Sequence, residues 1–212
     1  MELKNRQILC TSCSSENQLL ITAVKSEQQN DHPRMSSMRL LASLLALCIT
    51  LLMPSEVQAK TLEIVIYSIS EVGVGESIGA VLASDSKNGL VITPSLTNLS
   101  EGEHGFHLHA GSPCLAEFNQ EKISIPGLAA KGHWDPDNTN THSGPFDDGH
   151  RGDLSRLIVN SDGRTTNEVV APRLSTADLR GRALIVHAGG DTYSDVPPLG
   201  GGGARIACGI AG

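Results

Sequence analysis

Gly105-Phe106-His107-Leu108-His109-Ala110-Gly111-Ser112-Pro113-Cys114 is the stretch on which the reading of this chain turns. Apolar residues and histidines alternate over its first half. A period of two is the mark of a β-strand, whose successive side chains point to opposite faces. His107 and His109 therefore share one face, while Phe106 and Leu108 share the other, toward a core. Two imidazoles side by side on a rigid strand make half of a metal site. Gly111-Ser112-Pro113 reads as a turn, and Cys114 stands where that turn could be pinned to a distant part of the chain.

On either side of this stretch lie short β-rich segments. Leu62–Ile69 is a strand, broken by Gly73 and Gly75, and Ser77–Ala83 is a second. Asp85-Ser86-Lys87-Asn88-Gly89 carries the Asn-Gly signal of a hairpin and returns the chain through Leu90–Pro94. His104 lies between Glu103 and Gly105 and reads as a solvated turn residue. Further strands are Arg156–Val159, Asn167–Ala171, Arg182–His187 and Arg205–Gly209, with a helical turn at Ser175–Leu179. About eight short antiparallel strands with turn residues between them predict an all-β domain: an immunoglobulin-like Greek-key β-sandwich or flattened barrel. Two long loops interrupt it, Ser112–Leu154 and Ala188–Gly203. A loop of some forty residues is uncommon in a compact domain unless it is functional or held by something.

Composition agrees. The chain has 212 residues, only 3 % aromatic, with 22 glycines, which fits turns and short strands better than a helical bundle. Its formal charge of −7 argues against a nucleic-acid partner.

The first 59 residues read as something other than domain. Residues 1–37 are expected to be an extension created by the choice of start site, translation beginning at Met35 or Met38. Residues 38–59 carry Arg39, an apolar run from Leu40 to Leu52, and Val57-Gln58-Ala59. A basic start, a short apolar run and a small-residue exit predict a secretory signal cut after Ala59. That leaves 60–212 as the mature domain, exported and periplasmic, with no membrane attachment after cleavage. Five cysteines fall to two, Cys114 and Cys208, which in an exported domain read as one disulfide.

The mature domain has seven histidines, and six stand in settings that suit a metal. His107, His109, His133 and His187 offer four nitrogens, a set that suits Cu(II). His133, His142, His150 and Asp153 offer three nitrogens and a carboxylate oxygen, which tetrahedral Zn(II) accepts. His133 belongs to both sets, so one imidazole bridging two metals reconciles them. The polar loop supplies little apolar surface to hold itself, and a metal gripping it at several points would supply the missing free energy.

With these residues in view, the chain resembles the copper/zinc superoxide dismutases, in particular their bacterial periplasmic branch. The likeness runs through Gly105–Cys114, Gly132–Pro136, His142–Pro145, Gly149–Leu154, Leu184–His187 and Gly200–Gly209, over essentially all of 60–212. It implies one copper and one zinc per subunit. Copper would be held by His107, His109, His187 and His133, and zinc by His133, His142, His150 and Asp153. Asp191 would link a copper-site histidine to a zinc-site histidine. Cys114–Cys208 would be the intrasubunit disulfide. Arg205 would stand beside the open copper position and meet the substrate, superoxide. His133, as the bridge, would carry a proton during turnover. The implied reaction converts superoxide to dioxygen and hydrogen peroxide through alternate reduction and oxidation of copper.

Other functions fit less well. A copper/zinc storage or chaperone domain on the same fold has no use for Arg205 at the open position. A zinc hydrolase needs an open zinc position, and this set is closed. A structural sandwich leaves six histidines unexplained. Whether the enzyme is a homodimer, and whether Trp134 packs locally or at a subunit interface, is left open by the sequence.

Overall fold

The structure is a computed structural model, and it describes residues 61–212. The proposed extension and signal segment, with Cys10, Cys13 and Cys48, lie outside the described residues. Among the described residues no helix is long and apolar enough to cross a membrane.

Eleven strands alternate with loops: β1 (Thr61–Ser70), β2 (Gly73–Ser86), β3 (Gly89–Leu96), β4 (Gly102–His104), β5 (Phe106–His109), β6 (Glu117–Phe118), β7 (Ser124–Ile125), β8 (Leu157–Val159), β9 (Val169–Ala171), β10 (Ala183–His187) and β11 (Arg205–Ile210). One short α-helix among the described residues, α1 (Thr176–Leu179), falls where a helical turn is expected, and two 3-10 turns lie at Leu128–Ala130 and Pro198–Gly201. The surplus over eight comes from short strands, of which β6 and β7 are a two-residue ribbon inside the long loop. Glycines 73 and 75 do not end pairing as expected. Only Glu71 and Val72 form the turn, and β2 already pairs with β1 from Gly73.

Seven strands form one curled antiparallel sheet in the order β5-β10-β11-β1-β2-β3-β9, and β4 pairs separately with β8. Neighbours distant in sequence, β5 beside β10 and β3 beside β9, give the predicted sandwich-like all-β fold. The core lies between these layers. Ile64, Ile66, Val81, Ile92, Phe106, Leu108, Leu157, Leu184 and Val186 are buried in it.

β5 is the edge of the seven-stranded sheet, and its free main-chain groups need partners. The long loop supplies them. Leu108 N–H donates to Gly152 O at 2.9 Å, Trp134 N–H to Leu108 O at 2.8 Å and Ala110 N–H to Gly132 O at 2.9 Å. Gly152 is required there because a Cβ would lie 2.1 Å from Leu108 O. The loop is thus laid along β5 by backbone bonds, and does not depend on metal alone as the sequence suggests. Trp134 is half-buried and packs against the core, with the Arg182 guanidinium 4.2 Å from its ring centre.

Candidate metal centre

The face of β5 that carries His107 and His109 is turned away from Phe106 and Leu108, as alternation requires, yet all four are buried. The loop and the segment after β10 cover the histidines. Antiparallel bridges set Asp153 opposite His107 and His133 opposite His109. β10 lies on the other side of β5, and its last residue, His187, completes the group.

Two sets of four result. His107, His109, His133 and His187 each present one ligand atom, all within 4.8 Å of one another, and so do His133, His142, His150 and Asp153. His133 is in both. Its ring centre lies 4.0 Å from that of His107 and 5.4 Å from that of His150. Every metal-set residue expected from sequence is therefore brought together, and all donors come from one chain, so neither set needs a second copy.

The hydrogen bonds test whether these residues fit metals. His107 Nε2 lies 2.8 Å from Asp191 Oδ2, His109 Nδ1 2.8 Å from Lys131 O, His187 Nδ1 3.2 Å from Gly203 O, and His142 Nε2 2.9 Å from Asp191 Oδ1. In three of these rings the opposite nitrogen, His107 Nδ1, His109 Nε2 and His187 Nε2, is buried without a hydrogen-bond partner among the described residues, while His142 Nδ1 faces Asp153 Oδ1 at 3.0 Å. A buried nitrogen left bare is costly unless something binds it. One nitrogen fixed by the protein with its lone-pair partner left free is the arrangement of a metal-binding histidine. The sites fit the two ions.

Carboxylates organise the remainder. Asp153 Oδ1 is 2.8 Å from His133 Nδ1, 3.0 Å from His142 Nδ1 and 3.3 Å from His150 Nδ1. Asp191 joins His107 of one set to His142 of the other, the link expected of it. Gly200, at φ +72°, lies over this link: a Cβ would meet Asp191 Oδ1 at 2.1 Å. Burial alone would raise both carboxyls, but hydrogen bonds from the facing histidines outweigh it and hold them well below the usual range. Burial, with His133 nearby, lowers His107 to about 3 and holds His109 well below its ordinary value. Burial also lowers His187 to about 4, partly relieved by Gly203 O. These imidazoles are neutral near pH 7, the form that binds a metal.

Arg205 begins β11 opposite His187. Its Nη1–H donates to Gly127 O and its Nη2–H to Lys131 O at 2.7 Å. Arg205, His133, His187, Gly132, Pro198, Leu199 and Gly203 line a cavity of about 250 Å³. Cys114 and Cys208 form a disulfide, with Cα atoms 5.7 Å apart.

His104 corrects the sequence reading. It is 1 % exposed, not solvated, with Nδ1 2.7 Å from His187 O and Nε2 2.9 Å from Ser100 O. The signal was present: His104 has the parity of Phe106 and Leu108, the core-facing set. Lys131 O and Gly203 O, which orient His109 and His187, have no signature in the sequence.

Two four-donor sets sharing one imidazole, built on an antiparallel β-fold, define a binuclear metalloprotein. Residues 78–211 match the family model for copper/zinc superoxide dismutase (SODC). The superoxide dismutase [Cu-Zn] of Photobacterium leiognathi is 46% identical over 144 residues, 67% of this chain and 83% of the relative. The solved Cu/Zn superoxide dismutase from Brucella abortus is 44% identical at TM-score 0.70, covering 72% of this chain and 100% of that one. The solution structure of the monomeric copper, zinc superoxide dismutase from Salmonella enterica is also 44% identical, at TM-score 0.65 and the same coverages. The chain belongs to the copper/zinc superoxide dismutase family. It is an oxidoreductase that dismutates superoxide, and its cofactors are copper and zinc.

Proposed function

We propose the following assignment of residues to that activity. His107, His109, His187 and His133 hold copper. His133, His142, His150 and Asp153 hold zinc. The observation that carries the assignment is the sharing of His133: its Nδ1 faces Asp153, and its ring lines the cavity on the other side. The all-nitrogen set suits copper and the mixed set suits zinc. A storage function is not favoured, because Arg205 is fixed on the cavity wall by two carbonyls that a store does not need.

Copper held by His107, His109, His187 and His133 would supply one-electron chemistry, by which one superoxide is released as dioxygen and a second leaves with two protons as hydrogen peroxide. The chain supplies the rest. Two carbonyl acceptors occupy two of the five N–H donors of Arg205, leaving others to receive a small monoanion. His133 Nε2 is the nitrogen that carries a proton to the cavity. Asp191 holds the rings of His107 and His142 in register. Zinc is redox-inert, and Asp153 with His142 and His150 keeps the bridge in place.

The chain is further read as residues 1–37 extension, 38–59 export signal and 60–212 mature periplasmic domain. The Cys114–Cys208 bond supports this, since disulfides persist in oxidising compartments. Sequencing the mature protein from its native host should give Lys60 as the first residue, and recovery of residues 1–37 would refute the parse. The site assignment is tested with Arg205→Ile loaded with both metals. It should keep copper, zinc and fold while its second-order rate with superoxide falls tenfold or more, about 1.4 kcal/mol. An unchanged rate across salt concentrations would remove Arg205 from the mechanism.

A further inference from the structure

Outside the two donor sets, one side chain grips the zinc-set loop from an unrelated part of the fold. Arg173 follows β9, the edge strand opposite β5 in the seven-stranded sheet. Its Nη1–H donates to Gly149 O at 2.7 Å and its Nη2–H to His150 O at 2.7 Å. We infer that Arg173 is a positioning residue that shapes the zinc site through the main chain of His150. This rests on the assignment of His133, His142, His150 and Asp153 to zinc.

The base of the arm is rigid. Ala171-Pro172-Arg173-Leu174 is a turn closed by Leu174 N–H to Ala171 O at 3.1 Å. Proline fixes φ at its second position. Ala171 and Leu174, on either side, are buried in the core. β9 pairs with β3 through Ala171, so the turn continues a paired strand. Beyond it, Ser175 N–H and Oγ–H both donate to Asp178 Oδ2, which fixes the start of α1. Arg173 therefore leaves a platform that is tied down on both sides.

What it holds is equally specific. Gly149 O and His150 O belong to consecutive peptide groups, and the planar guanidinium presents two donors in a fixed fork that matches them. His150 O also accepts Asp153 N–H at 3.3 Å, closing the turn that brings His150 Nδ1 within 3.3 Å of Asp153 Oδ1. His150 N–H in turn donates to Thr141 O at 2.9 Å, beside His142. A clamp on the His150 carbonyl thus sets the turn that carries two of the four donors and the segment that carries a third. The nearby Arg151–Asp137 pair is exposed on both sides, and such pairs contribute little. Backbone bonds to β5 hold Gly132, Trp134 and Gly152, but not Gly149 or His150.

Groups that orient metal ligands from behind alter metal affinity by roughly 10–100-fold when removed. Arg173→Met should weaken zinc binding to the otherwise metal-free domain by that factor. Arg173→Lys keeps the charge but offers one ammonium in place of a fork, so it should recover little of the loss. Both variants should bind copper at the His107, His109 and His187 side as the parent does. Cobalt(II) at the zinc site reads geometry directly through its visible absorption. At saturating cobalt the bands of both variants should differ from the parent in position and intensity. Asp153→Ala, measured alongside, tests the underlying assignment: if it binds zinc like the parent, the zinc set itself is wrong, whatever Arg173 does. With that control behaving as expected, three results overturn the inference. One is a folded variant whose zinc affinity stays within twofold. The second is lost affinity with an unchanged cobalt spectrum, which would make Arg173 a brace for folding only. The third is full recovery by Arg173→Lys. If Arg173→Met does not fold, Arg173→Lys alone decides by the same first two criteria.

Discussion

Breaking the Cys114–Cys208 bond is the perturbation whose size the structure defines best. The two residues are 94 apart in sequence. Closing a loop of about that length removes unfolded-chain entropy worth about 4–5 kcal/mol. For a domain of this size each kcal/mol shifts the melting temperature by about 2–4 °C, so the metal-free, reduced domain should melt about 8–20 °C lower. Both cysteines are buried, so Cys114→Ala/Cys208→Ala adds a small cavity term in the same direction. The bond also reaches the site. Cys208 lies in β11 between Ile185 and Tyr67, a central position, whereas Cys114 opens the loop. That loop supplies Gly127 O and Lys131 O to Arg205, and Ala129 N–H donates to Leu115 O beside Cys114. Loss of the tether should therefore loosen Arg205, and activity should fall even below the new melting temperature. Calorimetry of the metal-free domain with and without reductant, two free thiols being counted in the reduced sample, measures the first effect. A shift below about 3 °C would refute the entropic reasoning, and full activity of the reduced, remetallated enzyme would refute the link to Arg205.

Other outcomes follow from the same geometry. His109→Ala should abolish superoxide removal while zinc stays bound, whereas Asp153→Ala should lose zinc and thermal stability first; metal analysis of both variants separates the sets. In the metal-free protein His107, His109 and His187 have folded pKa values below the unfolded value, so the unfolded chain binds more protons as acid is added. Stability should fall from pH 6.5 toward 4, by up to about 1.4 kcal/mol per pH unit for each group. His142 is opposite in sign: burial works against its charge, but Asp153 and Asp191 outweigh burial and raise it to about 9. Its contribution is fully present below pH 6.5 and is lost progressively as pH rises from there through 9, so urea midpoints should peak near pH 6.5 and fall on either side, and a flat profile would refute the reading. Lys131, at φ 65° and ψ −156°, occupies a backbone region that essentially only glycine adopts without strain, at a typical cost of about 1–3 kcal/mol. Lys131→Gly should raise the melting temperature by a few degrees while its carbonyl still serves His109 and Arg205; a lower melting temperature would show the strain is absent.

How much of this could be read in advance depends on whether the information is periodic. Alternation through Phe106–His109 located the strand, its buried face and its ligand face, because strand geometry allows no other arrangement. Donor chemistry sorted the six histidines and Asp153 into two sets without coordinates. His104, beside Glu103 and Gly105, has the flanks of a solvated turn residue, yet its parity with Phe106 is that of the core-facing set, and the parity prevails. Gly105 separates β4 from β5, yet the buried face continues across it. Lys131 O, Gly203 O and Arg173 were out of reach for a different reason. Two of them act through main-chain oxygens that every residue has, and the third acts across a contact between a turn and a loop more than twenty residues away. No residue pattern encodes such a contact; only the packing creates it.

The largest change from the sequence reading concerns what holds the long loop. From composition alone, metal looked like its organiser. In the fold, β5 is an edge, and the loop satisfies that edge with backbone bonds from Gly132, Trp134 and Gly152, so the ligands nearest β5 are set before any ion arrives. Each fixed imidazole has its tautomer chosen by a protein acceptor drawn from a separate segment: Lys131 O, Gly203 O or Asp191. A site arranged this way spends less binding free energy on ordering its ligands, and more of it appears as affinity. The exception is the stretch between the two backbone anchors, roughly 135–149. Its contacts run through Asp153, Asp191, Asp195 and Arg173 rather than through the sheet. On the proposed assignment, zinc binding stabilises chiefly this stretch, while the donors assigned to copper lie where the sheet and its backbone bonds already hold them.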